Sequence, residues 1–243
     1  AMADITTPVN FSNGTKNTHN DHNLATKSGA IEPNDSYSMQ LLQRKPGETM
    51  LRSIATVSIS GTLPEKLSAI AAAGYQGVEI FENDLLYYTG TPADVRTMAD
   101  ELGLKITLFQ PFRDFEGGTR EQFAANLARA KRKFALMHEL GCDTMLLCSN
   151  VQADCSADFE QQVADLRALA TLAEQENIKV GYEALAWGTH VNRWYQAWER
   201  VKAVDSPALG IVLDSFHILS LGDDLNRLHE VPMEKITFLQ LAD

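Results

Sequence analysis

The sequence predicts an α/β protein built as a (β/α)8 TIM barrel, and three observations carry that expectation. From Leu51 onward, short β-rich runs alternate with segments of helical period, the pattern of parallel strands joined by right-handed crossovers. The first βα connection reads Ser60-Gly61-Thr62-Leu63-Pro64, without the glycine-rich phosphate turn that a doubly wound sheet usually places there. Polar residues gather at the C-terminal ends of several strands, where a barrel assembles its chemistry.

Seven strands are predicted, over 53–59, 77–81, 106–112, 144–150, 179–185, 209–216 and 236–242. The segment 64–73 carries Leu67, Ile70 and Ala71 on one helical face, and 92–102 opens on a proline suited to a first helical turn. Phe123, Leu127, Ala130, Phe134 and Met137 recur at spacings of three and four within 120–140, and 158–175 and 194–204 follow the same period. Gly74 and Gly141 fall where helices end. Such a barrel takes about 250 residues, whereas residues 50–243 number 194. The expectation is therefore a barrel that stops before its eighth strand, inside or just after the seventh.

Residues 1–49 differ in character. They are rich in Asn, Thr, Ser, Asp and Gly, hold only Phe11 and Tyr37 as aromatics, and show no sustained period. A segment of this composition cannot offset its ordering entropy by burial. It reads as a disordered polar leader without catalytic role, in which His19 and His22 are scattered polar residues rather than a metal tract.

The charge balance excludes whole classes of function. With 21 basic and 32 acidic side chains the formal net charge is −11, which argues against a sequence-independent nucleic-acid binder. No apolar run approaches the ~20 residues that span a bilayer, and no secretory signal pattern opens the chain. The three cysteines, Cys142, Cys148 and Cys155, lack metal-site spacing and read as reduced thiols of a cytoplasmic protein. The expected partner is a small molecule; a homo-oligomer is compatible with the sequence, which carries no sign of oligomeric state.

Three strands deliver polar groups at equivalent heights. Val180-Gly181-Tyr182-Glu183, Ile211-Val212-Leu213-Asp214 and Thr237-Phe238-Leu239-Gln240 each end in an oxygen donor. Two carboxylates and an amide suit Mg²⁺ or Mn²⁺, with Co²⁺ as a further option, better than zinc. Each acid taken singly could merely cap the following helix. His217, three residues beyond Asp214, is a candidate acid or base, since its ordinary pKa lies near neutrality. His190 and Trp187, on the loop after the fifth strand, are candidates for shaping the pocket. Arg113, past the third strand, could hold a substrate carboxylate through paired hydrogen bonds or form an ion pair with Asp114 or Glu116. Glu79, Glu82, Ser149 and Asn150 are lining candidates; His138 and His229 lie on predicted helices as surface or packing residues.

The stretches 53–67, 77–86 and Phe109-Gln-Pro-Phe-Arg-Asp-Phe-Glu-Gly117 resemble the bacterial 3-dehydroshikimate dehydratases of xylose isomerase-like barrel type. So do Gly181-Tyr-Glu-Ala-Leu-Ala-Trp-Gly188, Leu213-Asp-Ser-Phe-His217 and Phe238-Leu-Gln-Leu-Ala-Asp243. The likeness runs from about Met50, a plausible natural start, to the last residue. It implies a divalent-metal lyase converting 3-dehydroshikimate to protocatechuate and water in quinate or shikimate catabolism. It also implies metal ligands at Glu183, Asp214 and Gln240 and an acid–base role for His217; Glu183 is a further catalytic candidate, and Arg113 and His190 are substrate-binding candidates by their positions. The family's fourth ligand, a glutamate on the eighth strand, and the dioxygenase-like C-terminal domain of many relatives have no counterpart among residues 1–243. Two alternatives stand beside this reading. One is a sugar isomerase or epimerase on the same barrel, and the other a catalytically silent binding subunit.

Overall fold

The computed structural model describes residues 50–242, so the reading of residues 1–49 lies outside the described residues. Seven strands follow one another in strict chain order: β1 (Ser53–Ala55), β2 (Gly77–Phe81), β3 (Lys105–Phe112), β4 (Thr144–Cys148), β5 (Lys179–Glu183), β6 (Leu209–Asp214) and β7 (Ile236–Gln240). Every neighbouring pair is parallel. The sheet is rolled, because a side chain on β7 reaches one on β2: the Gln240 amide nitrogen donates to Glu79 at 2.7 Å. The architecture is thus the TIM barrel, with no eighth strand among the described residues.

Helices fill the crossovers: α1 (Leu63–Ala72), α2 (Glu82–Leu86), α3 (Pro92–Glu101), α4 (Arg120–Leu140), α5 (Phe159–Gln175), α6 (Trp194–Val204) and α7 (Ser215–Ser220). Local chemistry sets their ends. Thr91 and Thr119 accept from the backbone N–H of Asp94 and Gln122 at the starts of α3 and α4, and Asp158 does the same for Gln161 at α5. Helix α4 closes on Gly141 at φ 69°, a left-handed position that glycine takes without strain.

Side chains alternate across each strand. Met145, Leu147, Val180, Tyr182, Ile211 and Leu213 point outward and pack with Phe134, Met137, Leu166, Leu169 and Val201 from the helices. Leu108, Leu146, Cys148 and Val212 point inward and form a small plug with Leu185. The same alternation places Glu79, Glu183, Asp214 and Gln240 on the inner face. Gly181 is required there, since a Cβ would lie 2.5 Å from the Val212 side chain.

Two expectations are corrected. The predicted first strand, 53–59, ends at Ala55 and turns into a 3₁₀ helix, Thr56–Ser58. In that turn the Thr56 hydroxyl accepts from the Phe81 N–H at 3.0 Å, so it bonds β2 through its side chain rather than its backbone. The predicted sixth strand, 209–216, ends at Asp214, which accepts from the Phe216 N–H at 2.7 Å and starts α7. Strands β4, β5 and β7 also stop two residues short of their predicted ends.

Candidate functional site

One ligand atom from each of Glu183, Asp214 and His217 lies within 4.8 Å of the others. Glu183 ends β5 and is 3% exposed. Its Oε2 accepts a weak bond from the Cys148 thiol at 3.4 Å, and its Oε1 is buried without a hydrogen-bond partner. Burial, and after it the charge of Asp214, pushes the Glu183 pKa up to about 8. A buried carboxylate with an orphaned oxygen beside a second carboxylate is costly unless it holds a proton or a cation joins it.

Asp214 divides its two oxygens. Oδ1 caps α7 through Phe216, while Oδ2 faces Nε2 of His217 at 3.9 Å. The capping role weighed from sequence is therefore real, and it leaves one oxygen for the pocket. Gln240 is the register partner of Asp214 on β7 and turns its amide nitrogen toward Glu79. Glu183 and the free oxygen of Asp214 offer carboxylate oxygens, the chemistry that fits a hard divalent cation, and His217 stands with them in the cluster.

His217, in α7, is buried. Its Nδ1 accepts from the Ala186 backbone N–H at 3.2 Å, so the neutral ring carries its proton on Nε2. Burial lowers its pKa and Asp214 partly restores it. Trp187 packs edge-on against the imidazole with ring centroids 4.9 Å apart and is 56% exposed.

Arg113 is exposed just past β3 and borders a cleft with Phe81, Glu82, Asn83 and Arg129. It forms no ion pair among the described residues: Asp114 accepts from the Val151 N–H, and Glu116 from the Asn150 N–H and the Tyr182 hydroxyl. Its charge acts on Glu183, opposing the upward push of burial. His190 stands apart from the cluster, with Nε2 bonded to the Cys155 carbonyl at 2.9 Å, a link between the loops after β4 and β5. The three cysteines are free and buried, and burial raises all three thiol pKa values, that of Cys142 to about 12. No described helix is long and apolar enough to cross a membrane.

Residues missed from sequence complete the surroundings. Glu79, earlier only a lining candidate, accepts from Gln110 as well as Gln240. Glu116 is 2% exposed and anchors the segment that carries Arg113. The sole sequence signal for either was an acid inside an apolar setting.

Comparison with known proteins places the chain in a family by sequence and fold. A curated 3-dehydroshikimate dehydratase of Pseudomonas putida is 60% identical over 194 residues, which make up 80% of this chain and 31% of the relative. The chain thus spans about a third of the length of that relative. A solved xylose isomerase-like TIM barrel/4-hydroxyphenylpyruvate dioxygenase fusion protein superposes with a TM-score of 0.80 at 60% identity, covering 81% of this chain and 31% of that one. An IOLI protein solved with a binding zinc atom shares the fold at 21% identity, with a TM-score of 0.71 over 80% of this chain and 73% of that one. The family described as xylose isomerase-like TIM barrel matches residues 67–243, and with seven parallel strands in barrel order the chain belongs to that family.

Proposed function

We propose that this chain dehydrates 3-dehydroshikimate to protocatechuate, with residues 50–243 as the barrel domain that carries the reaction and residues 1–49 taking no part in it. The observation that carries the proposal is the cluster of Glu183, Asp214 and His217, with a buried, unpartnered carboxylate oxygen at its centre. The name and 60% identity of the Pseudomonas putida relative support the substrate.

Glu183, Asp214 and Gln240 would hold the cation, Mg²⁺ or Mn²⁺ by donor chemistry. When bound, it supplies Lewis-acid stabilisation of negative charge developing on the substrate ketone oxygen. The reaction removes a proton from the carbon beside the ketone and expels a ring hydroxyl, the two leaving as water; enolisation of the remaining ketone then gives the aromatic diol. His217 exchanges protons at Nε2, the nitrogen that faces Asp214. To accept one there, the ring must first release Ala186 and carry its proton on Nδ1. The imidazolium formed when the ring takes up the substrate proton returns it to the departing hydroxyl, which leaves as water. Arg113 receives the substrate carboxylate, and its freedom from any internal ion pair among the described residues supports that role. Trp187 and His190 shape the rim, His190 by tying two loops together. The setting would be quinate or shikimate catabolism in the cytoplasm.

The test is absorbance-monitored conversion of 3-dehydroshikimate with Mg²⁺ or Mn²⁺, and with a chelator as control. Metal-dependent appearance of the aromatic product supports the proposal; folded, metal-loaded protein without product refutes it.

A further inference from the structure

Glu79 sits in the middle of β2, facing the barrel interior at 5% exposure, and three donors converge on it. Gln240 Nε2 donates to Oε2 at 2.7 Å, Gln110 Nε2 donates to the same oxygen at 2.9 Å, and Ser53 Oγ donates to Oε1 at 3.3 Å. The Thr107 hydroxyl lies 3.1 Å from both Ser53 Oγ and the Val78 carbonyl and has one proton to give to either. The carboxylate is therefore held by β1, β3 and β7 at once.

All three contacts bring donors to the Glu79 carboxylate, which accepts in each of them. The Gln240 amide must then present nitrogen to Glu79, and its oxygen turns elsewhere. Gln240 is paired in register with Asp214, and Glu79 lies near enough to Asp214 for their like charges to repel. A glutamine without such a partner could rotate its amide by half a turn and offer N–H groups to a cation, which would be repulsive.

We infer that Glu79 is a positioning residue of the metal centre: its carboxylate fixes the Gln240 amide so that oxygen, not nitrogen, faces the pocket shared by Glu183 and Asp214. This deepens the proposed function and rests on its metal reading. Glu79 acts through Gln240, and it adds negative potential to a pocket that already holds two carboxylates.

The test uses the full chain and Mn²⁺ as probe, titrated by electron paramagnetic resonance or calorimetry, with circular dichroism to confirm folding. Glu79→Gln keeps the size of the side chain but sets an amide against the amides of Gln240 and Gln110. It is expected to weaken Mn²⁺ binding by about 10- to 100-fold. Adding Gln240→Glu reverses the pair, so that an amide on β2 donates and a carboxylate on β7 accepts, and is expected to recover most of the affinity. Unchanged affinity in Glu79→Gln overturns the inference while leaving the metal reading intact. A Glu79→Gln chain that unfolds and is not recovered by the exchange makes Glu79 structural and also overturns it. Wild-type protein that binds no Mn²⁺ overturns the metal reading itself.

Discussion

The backbone N–H of Ala186, in the loop after β5, donates to Nδ1 of His217 in α7 at 3.2 Å. This bond orients the imidazole and selects which ring nitrogen holds the proton in the neutral form. Nitrogen-15 NMR is therefore expected to show a neutral ring protonated on Nε2. The midpoint is expected below the ordinary histidine value of about 6.5, because burial outweighs the pull of Asp214. A midpoint above that value would mean that Asp214 dominates.

Replacing His217 by Asn removes the proton carrier while keeping a polar group in the cavity. Turnover is expected to fall by about 10²- to 10⁴-fold. Mn²⁺ affinity should change only a few-fold, since the oxygen donors remain. Steady-state kinetics and a metal titration on the same preparation separate these effects; loss of metal binding instead would make His217 a ligand.

Arg113→Ala is expected to raise the Michaelis constant by about 10- to 100-fold, the worth of a charge-assisted hydrogen bond. Its effect on turnover should be smaller, because Arg113 stands outside the cluster of Glu183, Asp214 and His217. An unchanged Michaelis constant would remove Arg113 from substrate recognition.

Stability should depend on pH and metal together. Burial raises Glu183 from 4.5 to about 8 and Glu116 from 4.5 to about 7. In the folded, chelated protein both carboxyls hold protons that the unfolded chain has released, so folding binds protons between those values. Their contribution is full below pH 4.5 and is lost as pH rises through about 7 for Glu116 and about 8 for Glu183. Thermal melts with chelator should show these groups lowering stability across that window. Mn²⁺ should restore it most at the alkaline end, and Glu183→Gln should flatten the slope and abolish the metal effect.

Glu116→Ala should destabilise the chain by about 2–4 kcal/mol, because it strands two buried donors. These are the Asn150 N–H at 2.8 Å and the Tyr182 hydroxyl at 2.7 Å. Urea denaturation reads this directly, and a midpoint unchanged from wild type would show that water replaces the carboxylate.

Strand alternation made the inner face legible. Tyr182-Glu183 and Leu213-Asp214 each pair an outward apolar residue with an inward acid, and that pairing depends only on neighbours in the chain. The long helices were legible for the same reason, and α4 and α6 match their predicted bounds. The short helices α2 and α7 were not. Phe81 gives α2 no side-chain cap, and α7 begins at Ser215, which the predicted sixth strand had included. The bond between Glu79 and Gln240 joins residues 161 positions apart, beyond the reach of any local pattern. His190 likewise gives no hint in sequence that it meets the Cys155 carbonyl.

The segment bearing Arg113 is pinned by Asp114, Glu116 and Gly117 to groups following β4 and on α5: the Val151, Asn150 and Ser156 N–H groups and the Asp165 carboxylate. None of these anchors lies on β6 or β7. A further anchor, the Tyr182 hydroxyl that donates to Glu116 at 2.7 Å, lies on β5 next to Glu183, so the charged rim and the carboxylate cluster share a support. For a protein engineer, exchange at position 113 leaves the anchors at 114, 116 and 117 in place but also removes a charge that opposes the upward push of burial on the Glu183 carboxyl.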